Sequence, residues 1–158
     1  MRIFTFGVKQ TYTGENQLQV LLDFIKEYCI DVVIDVRYNR GNRFKKWVCN
    51  GNHIEQAINQ QFTPAECHYV AFPHTGISPK IRKKYGQCPR DLEVCYYLYL
   101  LEHRDEILSF FRKYSMLNVV LLCVENLKNP KTPFCHRRWL AFWLKDYGIA
   151  EEVVEETV

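Results

Sequence analysis

No apolar run in the chain approaches the length of about eighteen residues that suggests a membrane span, so no spanning helix is expected. No two of its seven cysteines are separated by just two residues, which removes the usual signature of a zinc ribbon or a thioredoxin-type motif. The cysteine count is odd, and the opening stretch Met1-Arg2-Ile3-Phe4-Thr5-Phe6-Gly7 has neither a signal-peptide core nor a cleavage site. A secreted disulfide framework is therefore not expected; a cytoplasmic protein with mostly buried, apolar cysteine side chains is. Internal repeats, low-complexity segments and linkers are also missing, so residues 1–158 are read as a single domain.

What is present is a globular balance, with 47% hydrophobic and 25% charged residues. The net charge of +3 hides an uneven distribution: Glu151, Glu152, Glu155 and Glu156 crowd the C-terminus and leave +7 on residues 1–150. A basic body favours an anionic partner, the bland alternative being a solvated basic surface.

Hydrophobic periodicity orders the chain. Residues 2–8 read as a strand ending near Gly7, and Leu18, Leu21, Leu22, Ile25 and Tyr28 recur at helical spacing. Residues 30–36 are almost continuously apolar, as in a strand covered on both faces. A short helix over 53–62, a strand over 67–72 and a long helix from Asp91 as N-cap to Tyr114 follow. A second strongly apolar strand covers 118–124, then a helix covers 137–147 and stops at Gly148, with a short strand over 152–154. Strands alternating with helices predict an α/β fold, a mostly parallel sheet with helices on both faces in a Rossmann-like three-layer arrangement.

Ligands of such sheets bind beyond the carboxyl ends of the strands. After the second strand come Asp35 and Arg37, then Arg40, Arg43, Lys45 and Lys46 with no acidic residue among them. After the third come His74, Gly76, Lys80, Arg82, Lys83 and Lys84, and after the fourth Cys123, Glu125, Cys135, His136 and Arg137. Three cationic segments should thus converge on one rim. Cys135 opens a helix, where unpaired amides and the dipole stabilise an anion and lower a thiol pKa. It is read as a thiolate nucleophile or as part of a phosphate-holding segment with Arg137, a buried structural cysteine being the alternative. Glu125 is a candidate base, or a lock on Arg37 or Arg137; Asp35 suits an ion pair with Arg37.

Cys123, Glu125, Cys135 and His136 are zinc-ligand types, but neighbours at a helix start diverge by about 100°, so no metal site is expected. His53, His68, His74 and His103 are individually uninformative. Tyr96, Tyr97 and Tyr99 cover too much of one helix for a stacking platform and read as core. Phe44 and Trp47, among Arg43, Lys45 and Lys46, suit either loop anchoring or single-stranded nucleic acid.

Taken together, Phe4-Thr5-Phe6-Gly7, Ile34-Asp35-Val36-Arg37, Tyr69-Val70-Ala71-Phe72-Pro73 with Gly76, Leu121-Leu122-Cys123-Val124-Glu125, and Cys135-His136-Arg137 leading into Leu140-Ala141 resemble the YeaO-like family, domain of unknown function 488. The resemblance covers most of residues 3–148. It implies that Asp35, Arg37, Cys123, Glu125, Cys135, His136 and Arg137 share a site, without naming a reaction. His74-Thr75, where family members usually have a leucine, and the basic loop 40–52 depart from the pattern. A stricter analogy with cysteine phosphatases fails, because Asn129 stands where their arginine would follow Cys123 and the glycine cradle is missing.

The expected function is an enzyme on a nucleotide, nucleic acid or other phosphorylated substrate. Cys135, Glu125 and Cys123 would be catalytic, Asp35, Arg37, His136 and Arg137 would bind substrate, and Arg40, Arg43, Lys45 and Lys46 would contact nucleic acid. The competing expectation is a non-catalytic nucleic-acid or anion-binding module. A phosphorylated small molecule or a nucleic acid is a possible partner and a membrane is not expected, while the sequence leaves the cofactor unknown.

Overall fold

A computed structural model describes residues 1–8, 15–41, 49–86, 88–124 and 135–155. In chain order they form β1 (Arg2–Gly7), α1 (Glu15–Glu27), β2 (Val32–Asp35), α2 (Gly51–Gln61), β3 (His68–Ala71), a 3-10 turn (Pro73–Thr75), α3 (Pro79–Tyr85), α4 (Pro89–Glu102), α5 (Arg104–Arg112), β4 (Asn118–Cys123), α6 (His136–Asp146) and β5 (Glu152–Glu155). The strands make one sheet in the order β3-β2-β4-β1-β5, and every pairing is parallel.

The two apolar strands, β2 and β4, are adjacent and interior, with Val32 opposite Val119 and Asp35 opposite Leu122. Their lack of polar alternation follows from cover on both faces. On one face Phe4, Phe6, Val33, Val120 and Leu122 pack with Leu21, Phe24 and Ile25 of α1 and with Ile54 and Ile58 of α2. On the other, Ile3, Val32, Ile34, Val119, Leu121 and Cys123 pack with α4, α5 and α6 through Leu92, Tyr96, Leu100, Ile107, Phe111, Leu140 and Leu144. The period-2 alternation of Val119, Val120, Leu121 and Leu122 between the two cores is the strand geometry expressed in packing.

One expectation is corrected. The helix expected from Asp91 to Tyr114 is two helices that meet at His103, and its N-cap is Cys88 with Pro89 in the first turn. An unbroken helix over that span would be about 36 Å long, against about 20 Å for a six-residue strand. The break lets both pieces lay their apolar stripes on the same sheet. The cations after β3 lie on α3, a helix not among the expected elements, whose start is set by Ser78, its side chain accepting from the Ile81 amide, and by Pro79 in the first turn. Gly148, at φ +69°, follows α6 as expected from the sequence. Among the described residues no helix is long and apolar enough to cross a membrane.

β4 lies between β2 and β1, and the chain leaves its neighbours towards the opposite face from the one it takes itself. After β1 and β2 it runs to α1 and α2; after β4 it reaches α6 on the other side. Such a reversal opens a crevice at the carboxyl ends of the strands.

Candidate functional site

The carboxyl end of β2 is built around a buried ion pair. Asp35 and Arg37 are 0% and 2% exposed. The Arg37 guanidinium donates to both carboxylate oxygens, Nε to Oδ1 at 2.8 Å and Nη2 to Oδ2 at 2.5 Å, and Nη1 donates to the Cys49 carbonyl at 2.9 Å. The Tyr69 hydroxyl, from β3, donates to Asp35 Oδ2 at 2.5 Å. Burial opposes the charge on Arg37, yet the hydrogen bonds and charge of Asp35 more than offset it and raise its pKa. Burial and then the Asp35 charge push the Tyr69 phenol up, so it remains a hydrogen donor. Arg40 turns back onto the Tyr69 ring, its guanidinium carbon 6.0 Å from the ring centre. This end of β2 is an internal lock in which Arg37 donates to both carboxylate oxygens of Asp35.

The carboxyl end of β4 meets the start of α6. Cys123, Cys135, His136 and Arg137 are all buried. Cys123 Sγ lies 3.6 Å from His136 Nδ1, and His136 Nε2 lies 3.0 Å from the carbonyl oxygen of Val36. The Arg137 Nη1 group donates to Cys135 Sγ at 3.5 Å. One ligand atom each from Cys123, Cys135 and His136 falls within 4.8 Å of the others. The divergence expected between adjacent helical residues does not apply, because Cys135 is the N-cap with extended backbone (φ −125°, ψ 127°) and only His136 is helical. These are the described residues that could hold a metal.

Between the segments that follow β2 and β3 and the helices α3 and α4 lies a cavity of about 480 Å³, lined among others by Tyr38, His74, Gly76, Ile77, Tyr96 and Tyr99. Its wall is mainly apolar and aromatic. Gly76 permits the closure of this wall: a Cβ there would stand 2.1 Å from the backbone nitrogen of Tyr38. The Tyr96 hydroxyl donates to the Thr75 carbonyl at 2.7 Å, and Tyr99 donates to the His74 carbonyl at 2.6 Å. Tyr96 also places its ring edge-on to the His136 ring, with centroids 5.7 Å apart. Complete burial, with the Cys123 and Cys135 thiols adding to it, pushes the Tyr96 phenol well above its ordinary pKa. Tyr96 is thus shared between the cavity and the cysteine–histidine cluster.

Of the residues expected to act together, the structure groups Asp35 with Arg37, and Cys123 with Cys135, His136 and Arg137. The Val36 carbonyl under His136 joins the two groups. Glu125, Arg43, Lys45 and Lys46, as well as Phe44 and Trp47, lie outside the described residues. Sequence reasoning missed Tyr38, Tyr69, Tyr96 and Tyr99 as site residues, whereas His74, named among the residues after the third strand, does line the cavity. Tyr96 does belong to the core, as expected, but it carries a polar end into the site. The one local signal was the glycine two residues after His74, since a close backbone approach is a common reason for glycine. None of the seven cysteines forms a disulfide. Burial pushes Cys67 up to about 12, with the Asp31 charge adding to it, and raises Cys49 against the opposing charge of Arg37.

A family model described as "Domain of unknown function DUF488" matches residues 17–144, a span that includes every residue of this site. No curated protein and no solved structure matches the chain.

Proposed function

Since the chain belongs to the DUF488 family, whose description carries no activity, we propose from the site alone that it is an enzyme acting on a nucleotide or a similar ring-bearing phosphorylated substrate. The observation that carries this reading is the aromatic cavity at the strand ends, which shares Tyr96 with the cluster of Cys123, Cys135 and His136. A volume of about 480 Å³ is of the size that small-molecule sites use, and its tyrosines suit a planar ring. Lys80, Arg82, Lys83 and Lys84 are exposed on α3, which contributes Ile81 to the wall, and they suit a phosphate tail at the rim. In this reading the cluster under Tyr96 is the reacting centre, and the Asp35–Arg37 pair holds the β2 end in place beside it.

Titrating the protein with nucleoside 5′-monophosphates, the matching nucleosides and inorganic phosphate, followed by calorimetry, tests the binding part. The nucleotide should bind saturably and more tightly than either of its parts. Tyr99→Ala should weaken it by about tenfold, as loss of one aromatic stacking surface does. Binding of no nucleotide at millimolar concentration, or equal binding by the Tyr99→Ala protein, would sink the proposal. Product analysis by mass spectrometry tests turnover.

A second reading, a non-catalytic anion- or nucleic-acid-binding module, is favoured by the same α3, whose four cations have no acidic residue among them. Binding without turnover across the substrate panel would select it.

A further inference from the structure

We propose that Cys123, Cys135 and His136 form a zinc-class metal site. The inference stands on the geometry of these three side chains and does not depend on which substrate occupies the cavity.

The chemistry of the donors comes first. Two thiolates and one imidazole are soft and borderline ligands that select zinc over magnesium or calcium. Tetrahedral zinc with bonds of about 2.3 Å to sulfur and about 2.0–2.1 Å to nitrogen sets its S···N edges at about 3.6 Å and its S···S edges at about 3.8 Å. Cys123 Sγ and His136 Nδ1 are 3.6 Å apart, which is such an edge. Cys135 completes a triangle whose sides are all within 4.8 Å, so it needs to move by about 1 Å to close on an ion of that size.

The imidazole is also oriented as a ligand. The Val36 carbonyl oxygen can only accept, so His136 Nε2, at 3.0 Å from it, carries the ring proton. Nδ1 then presents its lone pair, and it is the nitrogen nearer Cys123, 3.6 Å against 3.9 Å for Nε2. A metal-bound histidine ordinarily donates its other N–H to a carbonyl or carboxylate in this way. The Arg137 guanidinium, donating to Cys135 Sγ at 3.5 Å, holds that sulfur beside the other two donors. All three ligands are buried, so an ion there sits in a site shielded from bulk water, under the ring of Tyr96. The chain supplies these ligands from one strand end and one helix start, which positions them before any ion arrives.

The test uses the full-length protein and the metals alone. After treatment with chelator and reductant, it is titrated with cobalt(II), then with zinc, and metal content is measured after gel filtration. One equivalent of tightly held metal is expected, with the near-ultraviolet thiolate-to-cobalt charge-transfer band and the intense visible bands of tetrahedral cobalt, all displaced by zinc. Cys123→Ser and His136→Gln should each lower affinity by at least a hundredfold. Cys29→Ser and Cys88→Ser, which alter exposed cysteines, should leave it unchanged. Because the buried variants could fail to fold, the wild-type spectrum is decisive by itself. Substoichiometric metal, a cobalt spectrum without the thiolate band, or equal loss on changing Cys29 or Cys88 would overturn the site. Nucleotide calorimetry on the metal-free protein reports separately on the cavity, so failure of one proposal is distinguishable from failure of the other.

Discussion

Asp35 shows how one carboxylate can be occupied at both oxygens by neighbouring side chains. It receives Arg37 through two guanidinium nitrogens and the backbone amide, and Tyr69 through its hydroxyl, all from buried or half-buried positions. Replacing it removes the only charge that offsets burial of the Arg37 guanidinium through a direct hydrogen bond among the described residues. Asp35→Asn should therefore destabilise the fold by about 3–5 kcal/mol, the usual cost of leaving half of a buried pair, read as a lowered urea midpoint at unchanged slope. A loss below about 1 kcal/mol would mean that the pair is not the lock described. Part of this was legible in the sequence: an aspartate and an arginine two positions apart at the end of an apolar strand already suggest a pair. Tyr69 was not, because it is 34 residues from Asp35 and meets it only through the β2–β3 pairing.

At the scale of elements, the segments after β2 and β3 are held together by the absence of a side chain. Gly76 has φ −81°, a conformation open to any residue, so its role is space and not backbone freedom. A methyl group there would run into the Tyr38 backbone. Gly76→Ala should cost about 1–3 kcal/mol, the range for overpacking a tight contact, and should push the Tyr38 segment off the cavity wall. Thermal melts and nucleotide calorimetry on the same protein check both effects; a variant with unchanged melting and unchanged binding would show the approach to be looser than described. Helix identity was mostly visible in the sequence, since amphipathic spacing is local. The division of the long helix at His103 was not, because its cause is the shortness of the strands beneath it.

For the molecule as a whole, charge separates the two readings of function. Lys80 and Lys83 are exposed on α3 beside the cavity. Changing both to glutamine should slow association of an anionic ligand at low salt and matter little at high salt, with stability changed by less than about 0.5 kcal/mol. Stopped-flow binding across a salt series checks this. If generic single-stranded DNA or RNA binds instead, with a salt slope that falls by about 0.7 for each lysine removed, the binding-module reading prevails over the enzyme.

The sequence by itself determined the class of fold: the apolar runs of β2 and β4 require cover on both faces, and the alternation of helices and strands requires a parallel sheet. It also determined which chemical groups follow each strand, because that depends only on order along the chain. The tertiary structure alone decided their partners. Val36 and His136 are a hundred residues apart, and Tyr38 and Tyr96 belong to different layers; they meet because β4 inserts between β1 and β2. Strand order is set by the packing of whole faces, a sum over distant contacts that no local pattern encodes.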